Sequence, residues 1–201
     1  MIKRLSIGIQ GGRGSFNEQA LKTYLEKQGQ PTGEIEIAYL YTTDVVLREL
    51  RAGRIERGQF ALENSLGGPV QETLRAQAQY SFDEHYEIVA RYTLQIVHCL
   101  LLHPEARLEE VETIMTHPQV FAQCRNTIER RYPWIARVEG EGDFVDPARV
   151  GEAIAAGALP RSVATISNRL IAEAQGLKVV AQDLQDRPDN FTTFALVKLR
   201  Q

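Results

Sequence analysis

The chain has 201 residues and a formal charge of -3, with an isoelectric point near 5.9. That length holds one large domain or two small lobes, and either can bury a core. The slightly acidic balance, with no block of like charge, excludes a general nucleic-acid surface, and the longest apolar stretch (Leu94 to Leu102, broken by Gln95 and His98) is too short to span a bilayer.

Met1-Ile2-Lys3-Arg4 leads straight into a short strand, not into the apolar region of a signal peptide. Leu5 to Ile9 reads as that strand, followed by Gly11-Gly12-Arg13-Gly14 and a helical pattern through about Lys27. A strand over Ile35 to Leu40, a helix over Thr43 to Gly53, a strand over Arg57 to Leu62 and a helix over Val70 to Gln79 follow. Ile88 to Leu102 is long and apolar enough to cross between lobes as one strand. Next come strand Thr113 to Met115, helix Pro118 to Arg131 with a solvated Arg130-Arg131 end, and strand Ala136 to Glu139. Helix Pro147 to Ala156, strand Val163 to Ile166 and helix Asn168 to Gln175 complete a second run, before strands Leu177 to Ala181 and Thr193 to Leu199. Repeated βα units with short connections predict mostly parallel sheets covered by helices. Two runs joined by a long strand predict two lobes with a cleft between them: residues 1–90 with about 180–201, and residues 91–179.

In open α/β sheets ligands bind beyond the carboxyl ends of strands, where helix N-termini point. Small polar residues occupy four such places. In Gly11 to Glu18, glycines permit close backbone approach, and Ser15 with Glu18 has capping-box spacing. Taken alone, the same residues make a tight turn and a cap, and their spacing is not the dinucleotide fingerprint. Glu63-Asn64-Ser65 ends a strand just before Gly67-Gly68-Pro69, as either a substrate-orienting pair or a plain turn. In Thr116-His117-Pro118-Gln119, Thr116 or His117 caps a helix carrying Gln119 and Gln123 on one face. Asn190-Phe191-Thr192-Thr193-Phe194 enters the last strand. The four histidines show no metal spacing, so no metal site is expected. Neither a nucleophile elbow nor a P-loop is present. Cys99 and Cys124 stand alone, which predicts no disulfide framework and a reducing cytosol.

In this order and spacing the four segments resemble the catalytic domain of the prephenate dehydratase family, over nearly the whole chain. Gly11 to Glu18 is similar to its G-P-x-G-[TS]-[FY]-x-x segment, and Glu63-Asn64-Ser65 with Gly68 and Val70 to its E-N-S-x-x-G-x-V segment. Thr116-His117-Pro118-Gln119 through Gln123-Cys124 resembles S-H-P-Q…Q-C. Ala174 to Leu177, Asp186 and Asn190 to Phe194 resemble Y-G-L…D…N-x-T-R-F. The resemblance implies an α/β, two-lobed, type-II periplasmic-binding-protein-like fold with a ligand cleft. It also implies a cofactor-free lyase, in which prephenate loses carbon dioxide and its ring hydroxyl to give phenylpyruvate for phenylalanine synthesis. By that similarity Thr192 donates to the leaving hydroxyl, and Glu63, Asn64 and Gln123 line the cleft. Thr116 stands where the family usually has Ser, and the Ser15 helix start is a carboxylate cradle. Ser65, Arg13, Thr193 and Phe194 complete the expected substrate contacts. A small dicarboxylate (prephenate or arogenate) is the expected partner, in a cytoplasmic homodimer.

Some positions depart from the family. Thr193 occupies the Arg of T-R-F, and a neutral hydroxyl cannot make a bidentate ion pair with a carboxylate; Arg13 or Arg169 is then the candidate cation. Gly67 replaces a frequent Glu, Pro69 is unusual, and no regulatory ACT domain follows, so in-chain feedback by phenylalanine is not expected. Two other readings remain open: a prephenate decarboxylase of secondary metabolism, which loses donors in the T-R-F segment, and a non-catalytic sensor of an aromatic metabolite.

Overall fold

The computed structural model describes residues 4–30 and 32–200. Its elements run β1 (Leu5–Ile9), α1 (Phe16–Lys27), β2 (Ile35–Tyr39), α2 (Thr43–Arg51), β3 (Arg57–Asn64), β4 (Gly68–Pro69), α3 (Gln71–Gln79), the single turn α4 (Phe82–His85) and β5 (Tyr86–Gln95). They continue with β6 (Cys99–Leu102), β7 (Thr113–Thr116), α5 (Pro118–Arg131), β8 (Ala136–Glu139), α6 (Pro147–Ala155), β9 (Val163–Ser167), α7 (Arg169–Gln175), β10 (Lys178–Ala181) and β11 (Phe191–Leu199). Helix starts follow local chemistry. His117 and Asp146 cap α5 and α6, each with Pro at the first turn, and the Asn168 side chain caps α7 through the Ile171 N–H. Gly176 ends α7 at φ 69°, the left-handed position that only a residue without Cβ takes freely.

Two compact units result. One runs up to Gly12, over Phe16–Gln95, and from Phe191 on; the other is Arg13–Ser15 with Ile96–Asn190. The division falls at 95/96 and 190/191 instead of near 90 and 180. β5 stays paired to β11 as far as Gln95, and β10 pairs with β6. The expected ends at 1–3 and 201 lie outside the described residues.

The sheets are mixed, which corrects the expectation of mostly parallel ones. The first has order β2-β1-β3-β11-β5, with β4 beside β3; the second has order β10-β6-β9-β7-β8. Only the strands joined through α1, α2, α5 and α6 are parallel: β1 with β2 and β3, and β7 with β8 and β9. The other two strands in each order, β11 with β5 and β6 with β10, pair antiparallel because no βα crossover links them to their neighbours. Ile88 to Leu102 is likewise not one strand. Pairing stops at Gln95 and restarts at Cys99. Between them the Ile96 N–H donates to the Asn190 carbonyl (2.8 Å), and the His98 N–H donates to Gln185 Oε1 (3.0 Å).

The central strands of each sheet are buried on both faces under helices, and the period-2 alternation sorts the core. On β11, Leu196 packs with Leu21 and Leu25 of α1, while Ala195 and Val197 pack with Val46, Leu47 and Leu50 of α2. On β6, Leu100 and Leu102 meet Cys124 and Ile128 of α5, while Cys99 and Leu101 meet Val150 and Ile154 of α6. Cys99 and Cys124 therefore pack on opposite faces of one sheet, and both are free.

Candidate functional site

In the first unit the relevant residues sit where β3 ends against the start of β11. The Asn64 side chain folds back as an Asx turn: its Oδ1 accepts from the Leu66 N–H (3.0 Å) and the Gly67 N–H (2.9 Å). Backbone N–H groups only donate, so this end of the amide must be the oxygen. Nδ2 then donates to Thr192 Oγ (3.0 Å) and to the Phe191 carbonyl (3.2 Å). Asn64 is 6% exposed, and its orientation is fixed by main chain on both sides. The Thr192 hydroxyl thus accepts from Asn64, and its own hydrogen finds no acceptor among the described residues. Such a hydroxyl can donate to a ligand.

Register separates the neighbours. Thr192 faces Asn64 and Thr193 faces Glu63 across the antiparallel pair, so the two pairs project from opposite sides of the sheet. Glu63 is exposed there, and Thr193 lies beside it. The structure does not bring Glu63 and Thr193 together with Asn64 and Thr192, because successive strand residues alternate. Phe194 is 1% exposed, packed with Ala20 and Ala61 and stacked near Tyr92; it is core and not a ligand contact. Ser65 pins the strand start: its N–H donates to the Phe191 carbonyl (2.8 Å), and its Oγ accepts from the Phe191 N–H (2.9 Å).

In the second unit the centre is Gln123 on α5. Its Oε1 accepts from Asn190 Nδ2 (2.9 Å) and lies 2.7 Å from His98 Nε2. Burial lowers the His98 pKa, opposed by the Gln123 hydrogen bond, so the ring is neutral near pH 7. Its one hydrogen belongs on Nε2, facing the amide oxygen. The Gln123 Nε2 has no hydrogen-bond partner among the described residues. Asp186 secures the helix beneath. Its N–H donates to the Gln123 carbonyl (2.7 Å), and its carboxylate accepts from the Asn126 (2.9 Å) and Thr127 (2.8 Å) N–H groups.

Thr116 is 0% exposed and spends its hydroxyl on the Ile166 carbonyl (2.9 Å). It therefore holds β7 to β9 and offers no substrate contact. His117 caps α5, its Nδ1 accepting from the Gln119 N–H (3.0 Å), and burial lowers its pKa. Arg13, exposed, and Ser15, half-buried, flank Gly14, whose carbonyl takes the Asn168 Nδ2 (2.7 Å). A Cβ at Gly14 would come within 2.7 Å of Ile171, which requires glycine there. Arg169, exposed, opens α7 just after Asn168.

Sequence reasoning missed His98 as a partner of Gln123, and Asn190 and Asp186 were noticed only as letters of a motif. The available signal was a lone polar ring interrupting the Leu94–Leu102 run. Among the described residues no helix is long and apolar enough to cross a membrane.

The prephenate dehydratase family model matches residues 7–201. The chain is 30% identical to "Arogenate dehydratase/prephenate dehydratase 2, chloroplastic" of Arabidopsis thaliana, covering 96% of this chain and 46% of that protein. It is 31% identical to a bifunctional chorismate mutase/prephenate dehydratase of Stutzerimonas stutzeri, over 77% of this chain and 39% of the other. The crystal structure of a prephenate dehydratase from Arthrobacter aurescens, solved in complex with L-Phe, superposes with a TM-score of 0.84 at 28% identity, covering 98% of this chain and 61% of that one. The chain spans less than half the length of these curated relatives.

Proposed function

This chain belongs to the prephenate dehydratase family, and from that footing we propose that it converts prephenate, or its amino analogue arogenate, to the aromatic product. In this reaction the bond from the ring to its carboxylate breaks and carbon dioxide leaves. The electron pair enters the ring as it aromatises, and the C–O bond breaks at the opposite carbon. The departing hydroxide takes a proton, drawn ultimately from solvent, and leaves as water. Aromatisation supplies the driving force, so the protein's task is to hold carboxylates and stabilise the departing hydroxyl.

The observation that carries this reading is the Asn64–Thr192 pair. Asn64 occupies a lone pair of Thr192 Oγ and leaves the hydroxyl hydrogen to be donated. A donor aimed at developing hydroxide is what the chemistry asks for, and a decarboxylase that spares the hydroxyl does without it. In the second unit, Gln123 is proposed as a contact to a ligand oxygen, with Ser15 and Arg13 as carboxylate contacts. Glu63, which matches the family's segment, and Thr193, which departs from it, enter this proposal only as neighbours of the Asn64–Thr192 pair. The buried, free Cys99 and Cys124 fit a reducing compartment, and a cytosolic, cofactor-free activity is part of the same proposal. Incubation with prephenate and with arogenate tests it. Phenylpyruvate or phenylalanine is the expected product, a non-aromatised dihydro product would point to the decarboxylase, and binding without turnover would point to a sensor.

A further inference from the structure

We propose that His98 and Asn190 are positioning residues that lock the Gln123 carboxamide with its oxygen turned inward, so that this position presents only N–H donors and selects a ligand oxygen that accepts, a carboxylate or a carbonyl. Two donors converge on the one oxygen, His98 Nε2 at 2.7 Å and Asn190 Nδ2 at 2.9 Å. A flipped amide would set its hydrogens against both donors, and could be accommodated only if the imidazole changed tautomer and the Asn190 amide turned over together. The surroundings hold the clamp still. His98 is 2% exposed, its N–H bonded to Gln185 Oε1 and its carbonyl to the Leu184 N–H at 3.1 Å. Asn190 is 0% exposed, and its carbonyl takes the Ile96 N–H at 2.8 Å. Residues 96–98 and 184–190 thus grip each other, and both side chains reach Gln123 from that joint. From the other side, the Asp186 N–H holds the main-chain carbonyl of Gln123 at 2.7 Å. With the oxygen spoken for and Nε2 without a partner among the described residues, the position has donors to offer and no acceptor. Burial keeps the imidazole neutral, which supplies the single ring N–H this arrangement uses.

The inference deepens the dehydratase reading and rests on it only for turnover, so its test has two arms on the full chain. In the first, ¹⁵N NMR of the histidine side chains reads the His98 tautomer near pH 7. The Nε2–H form is expected, with its signal displaced in Gln123→Ala; an Nδ1–H ring or an imidazolium overturns the clamp. In the second, kinetics with prephenate compare His98→Gln, which keeps a donor at similar reach, with His98→Met, which removes it. His98→Met should lose about 10²-fold in kcat/KM, the scale of a roughly 1 Å misplacement, while His98→Gln keeps most activity. The loss should vanish when Gln123→Ala is already present, since the residues then act through one another. Equal losses in the two His98 variants, or losses additive with Gln123→Ala, would mean that His98 serves the fold alone. Should His98→Met not fold, Asn190→Asp, which swaps the donor for an oxygen at constant size, must show the same non-additive loss. A wild-type protein with the Nε2–H signal and no turnover would reject the dehydratase reading and leave the clamp standing. Turnover with an Nδ1–H ring would reject the clamp alone.

Discussion

The two units use one strand plan and secure their polar residues in different ways. In each sheet a βαβαβ run supplies three parallel strands with its first strand in the middle, then a strand that has come from the other unit, then an antiparallel edge. In the first unit, Asn64 is held by backbone: two N–H groups on its oxygen and a carbonyl beside Thr192 on its nitrogen. In the second, Gln123 has its amide held by two side chains alone. Backbone clamping leaves one hydrogen-bonding assignment. Side-chain clamping leaves a second that differs by coupled flips, and the His98 tautomer is what distinguishes the two.

Thr192→Val tests the first unit most sharply. It removes the hydroxyl while nearly preserving shape, and loss of one transition-state donor typically costs about 10²–10³ in turnover. A folded Thr192→Val protein with unchanged kcat would take Thr192 out of the mechanism. Asn64→Asp should come next, at about 10²-fold. The aspartate keeps an oxygen for the Leu66 and Gly67 N–H groups, but it draws the Thr192 hydrogen onto its own carboxylate. Because that loss runs through Thr192, adding Asn64→Asp to Thr192→Val should cost no further turnover. An additional drop in kcat would show that Asn64 touches the substrate independently.

This contrast also explains what could be read from the sequence. Helix Pro118 to Arg131 and strand Ala136 to Glu139 were legible to the residue, because caps, proline and apolar spacing are local signals. The turn from Ser65 to Gly67 was legible for the same reason, but β3 runs on through Glu63 and Asn64, which pair with Thr193 and Thr192. The mixed strand directions were not, since nothing local states that β11 will lie beside β3 or β6 beside β9. Thr116 was misjudged because burial depends on its sheet neighbours, not on the segment it belongs to. His98 reaches Gln123 across 25 positions and Asn190 across 67, distances at which spacing carries no information without a fold.

Asp186→Ala probes how far the second unit depends on such long-range supports. It removes two charge-assisted acceptors from the Asn126 and Thr127 N–H groups in the interior of α5. One hydrogen bond to a charged group is worth roughly 1.5–3 kcal/mol, and Asp186 is only half-buried, so a loss of about 2–3 kcal/mol in urea unfolding is expected. The Asp186 main-chain N–H survives the substitution, and the Gln123 carbonyl keeps its partner. Activity at a temperature where the variant is folded should therefore fall far less than in Thr192→Val. A collapse of activity in the folded variant would mean that the helix interior, and not the His98–Asn190 pair, sets the Gln123 geometry.

Thr193→Arg should have the smallest effect. By family resemblance alone, an arginine here would restore a substrate carboxylate contact and raise kcat/KM ten-fold or more. The register argues otherwise: Thr193 pairs with Glu63 and Thr93, while Thr192 pairs with Asn64 and Leu94 on the opposite side. An arginine at 193 would sit beside the exposed Glu63 carboxylate and form a surface ion pair, worth about 0–1 kcal/mol. Melting temperature should rise slightly or not at all, and KM for prephenate should move by less than about five-fold, the equivalent of about 1 kcal/mol. Salt separates this from a ligand contact, because any gain in stability should disappear at high ionic strength while KM stays put. A large fall in KM would place the 193 side chain on the ligand after all, and the strand alternation that divides Thr192 from Thr193 would have to give way at the start of β11.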